Sequence, residues 1–226
     1  MIDFIHGDAR DYECIITARS FVVIDPPWDS PELFKVGSKA SNRLVFCDGK
    51  RLGDAVNFNG PPTWVFVWDC VTSWYTPNRP LKRGKMALWY GDLTKYNQCG
   101  SHYGEPCGRP RIVRNSRGTH FFTPDGRGKM LSDVFQQPIT QLRQLNGQQF
   151  NQSKPYDWIK MLIANCRGDC NSIVDLFAGS GVFARAAIDI GLDYVGIESD
   201  TQRYNDLINM RFDQAITQHM EQTSWL

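Results

Sequence analysis

The stretch NSIVDLFAGSGVFARAAIDIGLDYVGIESD, residues 171–200, carries the clearest structural signal in the chain. It predicts a buried strand, NSIVDLF, followed by a glycine-rich turn, a helix that Gly191 closes, and a second strand, DYVGIESD. A strand, a helix and a strand in this order indicate an α/β fold, because such units build parallel sheets.

The turn within this stretch has the spacing of a cofactor loop. Gly179-x-Gly181-x-x-Ala184 lies between a strand and a helix, where backbone N–H groups can approach a ligand. Gly179 permits the turn, and Gly181 removes a side chain that would block the ligand. Glu198, at the end of the next strand, can accept hydrogen bonds from two ribose hydroxyls. The pattern alone is equally compatible with a nicotinamide cofactor, and the structural alternative is a tight turn that binds nothing.

Outside this stretch, strands and helices continue to alternate. Residues 91–130 are rich in Gly, Pro and Arg without a sustained period, which predicts a loop-rich insertion with one hairpin. We expect a single α/β domain over residues 1–226, with a mainly parallel sheet. The other predicted strands are DFIHGD, SFVVIDPPW, PTWVFVWDC and GKMALWYG, and the other predicted helices are ARDYECIITAR, RLGDAVNFNG, SKPYDWIKMLIANCRG and Thr201 to Gln218.

A second chemical feature follows the predicted strand SFVVI at residues 20–24. Asp25-Pro26-Pro27-Trp28 places a carboxylate, two residues without a backbone N–H and a large aromatic ring at one strand end. Asp25 and the carbonyl of Pro26 could accept the two N–H bonds of an amino group, and Trp28 could stack on a base. The structural alternative is a proline-terminated strand with an aromatic lid.

Charge is divided unevenly along the chain. Residues 79–129 hold eleven Lys or Arg against three Asp or Glu, although the whole chain has a net charge of only +1. A basic segment in an otherwise acidic chain is typical of a surface that binds a polyanion. The aromatic residues interleaved in this segment favour nucleic-acid binding over the alternative of a solvated basic loop. The candidate nucleic-acid contacts are Arg79, Lys82, Arg83, Arg109, Arg111, Arg114 and Arg117.

Composition limits the remaining possibilities. The chain is 42% hydrophobic and 22% charged, as in ordinary soluble proteins, and no apolar run is long enough to span a membrane. Acids near the N-terminus argue against a signal peptide, so we expect a cytoplasmic protein with reduced cysteines. We expect no metal, because a possible zinc set lacks the usual C-x2-C pair; its members are Cys99, His102, Cys107 and His120.

The two motifs that follow predicted strands, DPPW at 25–28 and DLFAGSG at 175–181, together resemble the motifs of a known family. They are similar to class I S-adenosyl-L-methionine-dependent methyltransferases, specifically the DNA amino-methyltransferases that act on adenine N6 or cytosine N4. The catalytic motif precedes the cofactor loop, as in the circularly permuted β class, and the Gly-Ser-Gly loop looks like the bacterial and phage enzymes. Further similar segments are HGD, SKPYDWIKMLI and VGIESD.

The resemblance implies roles for named residues. In the family, Asp25, Pro26, Pro27 and Trp28 would hold a base that is flipped out of double-stranded DNA. Asp8 would contact the cofactor's adenine, although it could instead cap a helix. The implied set for S-adenosyl-L-methionine is Asp8, Lys154, Pro155, Asp175, Phe177, Ala178, Gly179, Ser180, Gly181 and Glu198.

The resemblance also bears on the substrate. Asp at the first motif position usually accompanies adenine N6, so Asp25 favours adenine. Trp28 departs from the commoner tyrosine and is shared with eukaryotic RNA adenine methyltransferases, so cytosine N4 and RNA remain alternatives. A partner subunit that binds nucleic acid without turnover is an alternative of another class. We expect residues 91–130 to be the target-recognition insertion, and its small size suggests a short or relaxed target sequence.

Overall fold

A mainly parallel sheet that contains one antiparallel strand organises the chain. The computed structural model describes residues 1–70, 84–96, 111–115, 118–122, 133–136 and 154–209, with only the backbone described for 111–115 and 118–122. The strands are β1 (Ile2–His6), β2 (Ser20–Ile24), β3 (Arg43–Asp48), β4 (Trp64–Asp69), β5 (Gly84–Tyr90), β6 (Arg111–Asn115), β7 (Gly118–Phe122), β8 (Val134–Gln136), β9 (Ser172–Asp175) and β10 (Asp193–Glu198).

Eight of these strands form one mixed sheet in the order β1-β10-β9-β2-β3-β5-β4-β8. Among the described strands of this sheet, only β5 runs antiparallel to its neighbours β3 and β4, and the other pairs are parallel. The expected α/β fold with a mainly parallel sheet is therefore confirmed. The backbones of β6 and β7 form the separate antiparallel hairpin predicted within residues 91–130.

Four described α-helices cover the sheet: α1 (Leu52–Asn59), α2 (Tyr156–Cys166), α3 (Val182–Ile190) and α4 (Thr201–Asn209). One core contains the buried faces of α2 and α3, and a second core on the other side includes Ala55 of α1. Central strands are therefore covered on both faces, which is why β2 is buried at every position.

Three sequence predictions need correction or completion. The predicted helix ARDYECIITAR is instead two short 3₁₀ turns, Ala9–Asp11 and Glu13–Ile15, because the side chain of Asp8 caps the first and Tyr12 interrupts the run. β3 was not predicted, since its apolar residues follow a polar, turn-rich stretch. The helix from Thr201 is described to Asn209, and its predicted continuation to Gln218 lies outside the described residues.

The segment after DPPW packs closely against the residue that begins the glycine-rich loop. Gly37 has a φ of +74°, and a Cβ there would come within 2.6 Å of the Leu176 side chain. The N–H of Gly37 donates to Glu13 Oε1 at 2.6 Å. Only glycine fits this close approach without strain, so the segment is held against the strand end that begins the loop.

Candidate active site

The DPPW motif and the glycine-rich loop lie at the same end of the sheet. β2 and β9 are adjacent and parallel, with Val23 opposite Asp175, so the residues that follow the two strands meet. They border one cavity of about 730 Å³, within the range of small-molecule sites. The predicted site residues that line it are Asp8, Asp25, Pro26, Pro27, Trp28, Lys154, Phe177, Ala178, Gly179, Ser180 and Glu198.

Asp25 forms an ion pair with Lys154. The ammonium donates to Asp25 Oδ2, and Lys154 is only 7% exposed, so the pair is partly shielded from water. Lys154 directly precedes Pro155, which caps α2, and its Nζ lies 4.7 Å from the centre of the Phe46 ring. The residue before Pro155 therefore places its ammonium group beside the carboxylate that follows β2.

Trp28 stands at the open side of the cavity. Its side chain is 44% exposed, and Lys85 Nζ lies 5.2 Å from its ring centre, in cation–π range. Arg51 donates from Nη2 to the Trp28 carbonyl and pairs through Nη1 with Asp54 at 3.1 Å. The backbone of Trp28 is thus anchored, and its side chain borders the cavity.

The glycine-rich loop has the backbone conformation that its sequence requires. Gly179 and Gly181 have φ of +52° and +71°, and Gly181 is the residue before α3. Glu198 closes the loop, because its Oε2 accepts from Gly179 N at 2.9 Å and its Oε1 from Asp200 N at 2.9 Å. Glu198 therefore stabilises the loop through these hydrogen bonds and also lines the cavity.

Asp175 lies beneath the loop rather than on the cavity wall. It is fully buried, and its carboxylate accepts from Tyr194 OH at 2.9 Å and from Phe177 N at 3.2 Å. Burial raises the pKa of Asp175 to about 7, and the two hydrogen bonds oppose this rise. Asp175 thus shapes the loop from below. Pro155 and Gly181 are likewise absent from the cavity lining among the predicted cofactor residues.

Asp8 serves as a cap in this structure. Its Oδ1 accepts from Arg10 N and Nε, both at 2.9 Å, and Oδ2 pairs with Arg10 Nη2 at 2.5 Å. These hydrogen bonds lower the pKa of Asp8 to about 2. Asp8 also lines the cavity, so the capping alternative is confirmed without removing Asp8 from the site.

Several cavity residues had no signal in the sequence. Phe46 belongs to β3, which was not predicted, and Phe183 lies next to the start of α3. Lys85 and Arg51 come from β5 and from the residue before α1, far from either motif. The alternation of side chains along a correctly assigned β3 would have shown only which face of the sheet Phe46 occupies. The positions of Phe46 and of the two cations in the cavity depend on the order of the strands.

Most of the candidate nucleic-acid contacts fall outside the described residues: Arg79, Lys82, Arg83, Arg109 and Arg117. Arg111 and Arg114 lie on β6, where only the backbone is described. Cys99, His102 and Cys107 of the possible zinc set are also outside, and His120 lies on β7. Among the described residues, no group of three or more His, Cys, Asp and Glu could hold a metal ion, and no helix is long and apolar enough to cross a membrane.

Comparison with known families identifies the class of protein. The family model N6_N4_Mtase, described as DNA methylase, matches residues 47–209, which include the glycine-rich loop. The chain belongs to this family. This DNA methylase is therefore an S-adenosyl-L-methionine-dependent methyltransferase of the N6/N4 amino class. No curated protein sequence matches it.

Solved structures share the fold of this DNA methylase over almost its whole length. M1.HpyAVI in complex with SAM has a TM-score of 0.58 at 15% identity and covers 93% of this chain and 99% of its own. PvuII DNA methyltransferase, described as cytosine-N4-specific, has a TM-score of 0.58 at 11% identity over 90% and 83%. A putative DNA modification methylase from Thermus thermophilus, complexed with S-adenosyl-L-methionine, has a TM-score of 0.58 at 12% identity over 96% and 96%.

Proposed function

We propose that this DNA methylase transfers a methyl group to the N6 atom of an adenine that is flipped out of double-stranded DNA. One observation carries the proposal: Asp25-Pro26-Pro27-Trp28 and the loop with Gly179 border a single cavity. A base bound at the first could therefore face a methyl donor bound at the second. Transfer between two ligands requires this proximity.

The residues around the loop fit S-adenosyl-L-methionine. Gly179 lies on the cavity wall without a side chain, and the nearest atom to a Cβ built there, the Phe177 carbonyl oxygen, would be in ordinary van der Waals contact at 3.6 Å. Glu198 presents a carboxylate suited to ribose hydroxyls. We propose that the cofactor lies along Phe177–Gly181, with Glu198 at its ribose. When bound, S-adenosyl-L-methionine supplies a methyl group on a positively charged sulfur.

The residues after β2 fit an amino-bearing base. The lone pair of an exocyclic amino nitrogen is delocalised into the ring, and acceptors on both of its N–H bonds would free that lone pair for attack. We propose that Asp25 and the Pro26 carbonyl are these acceptors, and that they also stabilise the positive charge that develops on nitrogen. Trp28 would stack on the extruded base, worth roughly 1–3 kcal/mol against the cost of unstacking.

The preference for adenine rests on Asp25 at the first position of the motif, which among similar enzymes accompanies adenine N6. Cytosine N4 is the second candidate target, because the fold is also similar to that of a cytosine-N4-specific enzyme, and the assay below therefore includes cytosine. The basic segment over residues 79–129 supports binding to the DNA backbone. Action on a bacterial or phage genome would place the protein in the cytoplasm.

The test is transfer of tritium from methyl-labelled S-adenosyl-L-methionine to unmethylated duplex DNA, with RNA in parallel and nucleoside analysis of the product. We expect label in N6-methyladenine from DNA. Asp25→Ala should lower transfer to background while the Kd for the cofactor, measured by calorimetry, changes less than about threefold, because Asp25 belongs to the base end of the cavity. Label in N4-methylcytosine or in RNA would refute the substrate, and full activity of Asp25→Ala would refute the role of the motif.

A further inference from the structure

Lys154 links the two ends of the cavity. It was expected near the cofactor, yet its ammonium contacts the carboxylate proposed to hold the target base. A buried ammonium must have acceptors to offset the loss of water, and Asp25 Oδ2 supplies one. The same ammonium lies 4.7 Å from the Phe46 ring centre and 6.0 Å from that of Phe183. Among the described residues, the Lys154 ammonium therefore contacts one carboxylate oxygen and lies near two aromatic rings.

The two oxygens of Asp25 have different surroundings. Oδ2 is engaged by Lys154, whereas Oδ1 has no hydrogen bond within the described part of the chain. Asp25 also lines the cavity, and its side chain is 33% exposed. A carboxylate with one oxygen fixed cannot rotate freely about its last torsion, so the direction in which the other oxygen points is fixed as well.

We propose that Lys154 is a positioning residue for methyl transfer: it holds Asp25 Oδ2 so that Oδ1 accepts an N–H of the substrate amino group. This inference rests on the proposed function of Asp25 and adds to it. An acceptor misplaced by about 1 Å can cost on the order of a hundredfold in rate. Lys154 thus acts on kcat through Asp25, in addition to any effect on the affinity for the cofactor.

The experiment measures kcat at saturating S-adenosyl-L-methionine, so that changes in cofactor affinity do not enter. The wild-type enzyme is first assayed on DNA and on RNA, and the variants are assayed on the polymer and base that it methylates. Lys154→Met should lower kcat about a hundredfold, and Lys154→Gln should recover part of this loss, since its amide N–H can still donate to Oδ2. A purely structural role would not distinguish these two variants by kcat.

A double-mutant cycle then tests whether Lys154 acts through Asp25. Asp25→Asn combined with Lys154→Met should be no slower than Asp25→Asn alone. Lys160→Met is the matched control, because Lys160 lies on α2, pairs with Asp189 at 3.2 Å and does not line the cavity. It should keep the wild-type kcat. Thermal melts followed by circular dichroism establish that every variant compared is folded.

Three results would overturn the inference while leaving the proposed function intact. These are an unchanged kcat in Lys154→Met at saturating cofactor, losses that multiply in the double variant, and a Lys154→Gln variant as slow as Lys154→Met. If the wild-type enzyme methylates neither polymer, both the proposed function and this inference are rejected. A wild type active on cytosine or RNA rejects only the proposed base or polymer.

Discussion

Replacing Asp175 by Asn removes a charge from a fully buried side chain and keeps its shape. The ordinary pKa of an aspartate is 3.8, and burial raises the pKa of Asp175 to about 7 in the folded protein. Between these values the folded state holds a proton that the unfolded state has lost. Asp175 therefore contributes stability that is fully present below pH 3.8 and is lost as the pH rises through about 7.

The magnitude follows from the difference between the two pKa values. About three pH units at 1.36 kcal/mol each give roughly 4 kcal/mol in total, of which about 3 kcal/mol falls between pH 5 and pH 8. Asn at position 175 carries no charge at either pH. The free energy of unfolding of Asp175→Asn, relative to the wild type, should therefore increase by about 3 kcal/mol between pH 5 and pH 8.

Urea unfolding at pH 5, 6, 7 and 8 measures this difference. All other titrating groups are common to the two proteins, so their effects cancel in the comparison. Asp3→Asn makes the same chemical change at an exposed position of β1 and serves as the control for the substitution itself. A stability difference between Asp175→Asn and the wild type that stays constant over this range would refute the assigned protonation of the buried carboxyl.

Two further predictions concern the ends of the cavity. Gly181→Val places a β-branched residue at a φ of +71°, a conformation that costs an ordinary L-residue about 1–2 kcal/mol. If the loop must keep this conformation to bind S-adenosyl-L-methionine, the affinity measured by calorimetry should fall about 5- to 30-fold. Unchanged affinity would contradict the loop's proposed role. Trp28→Ala should weaken the binding of duplexes that carry an abasic gap opposite the target base. The Kd measured by fluorescence titration should rise roughly 5- to 150-fold, because about 1–3 kcal/mol of stacking is lost. Equal affinities of Trp28→Ala and the wild type would argue against a stacked base.

The sequence predicted those parts of the site that depend on local backbone. Gly179 and Gly181 were identified because only a few conformations suit a strand–turn–helix loop, and the structure gives both a positive φ. Pro26 and Pro27 were informative for the same reason, since proline restricts φ and lacks an N–H. Most of the strands were also predicted, because buried parallel strands read as continuous apolar runs.

The parts that depend on distant residues could not be predicted. Lys154 and Asp25 are 129 residues apart, and nothing local in either segment indicates their ion pair. Asp175 was predicted from the resemblance to contact the cofactor, but its burial beneath the loop depends on Tyr194 of the neighbouring strand β10. Strand order sets both relationships, and periodicity within one segment contains no information about strand order.

The adjacency of β2 and β9 has a consequence for how activity arises during folding. Asp25 and Gly179 come together only when Val23 lies opposite Asp175, a contact that closes a loop of about 150 residues along the chain. Contacts so distant in sequence are slow to form, and a growing chain contains the DPPW segment long before the glycine-rich loop. Catalytic competence should therefore appear in a single late step, and a partly synthesised or partly folded chain should transfer no methyl groups.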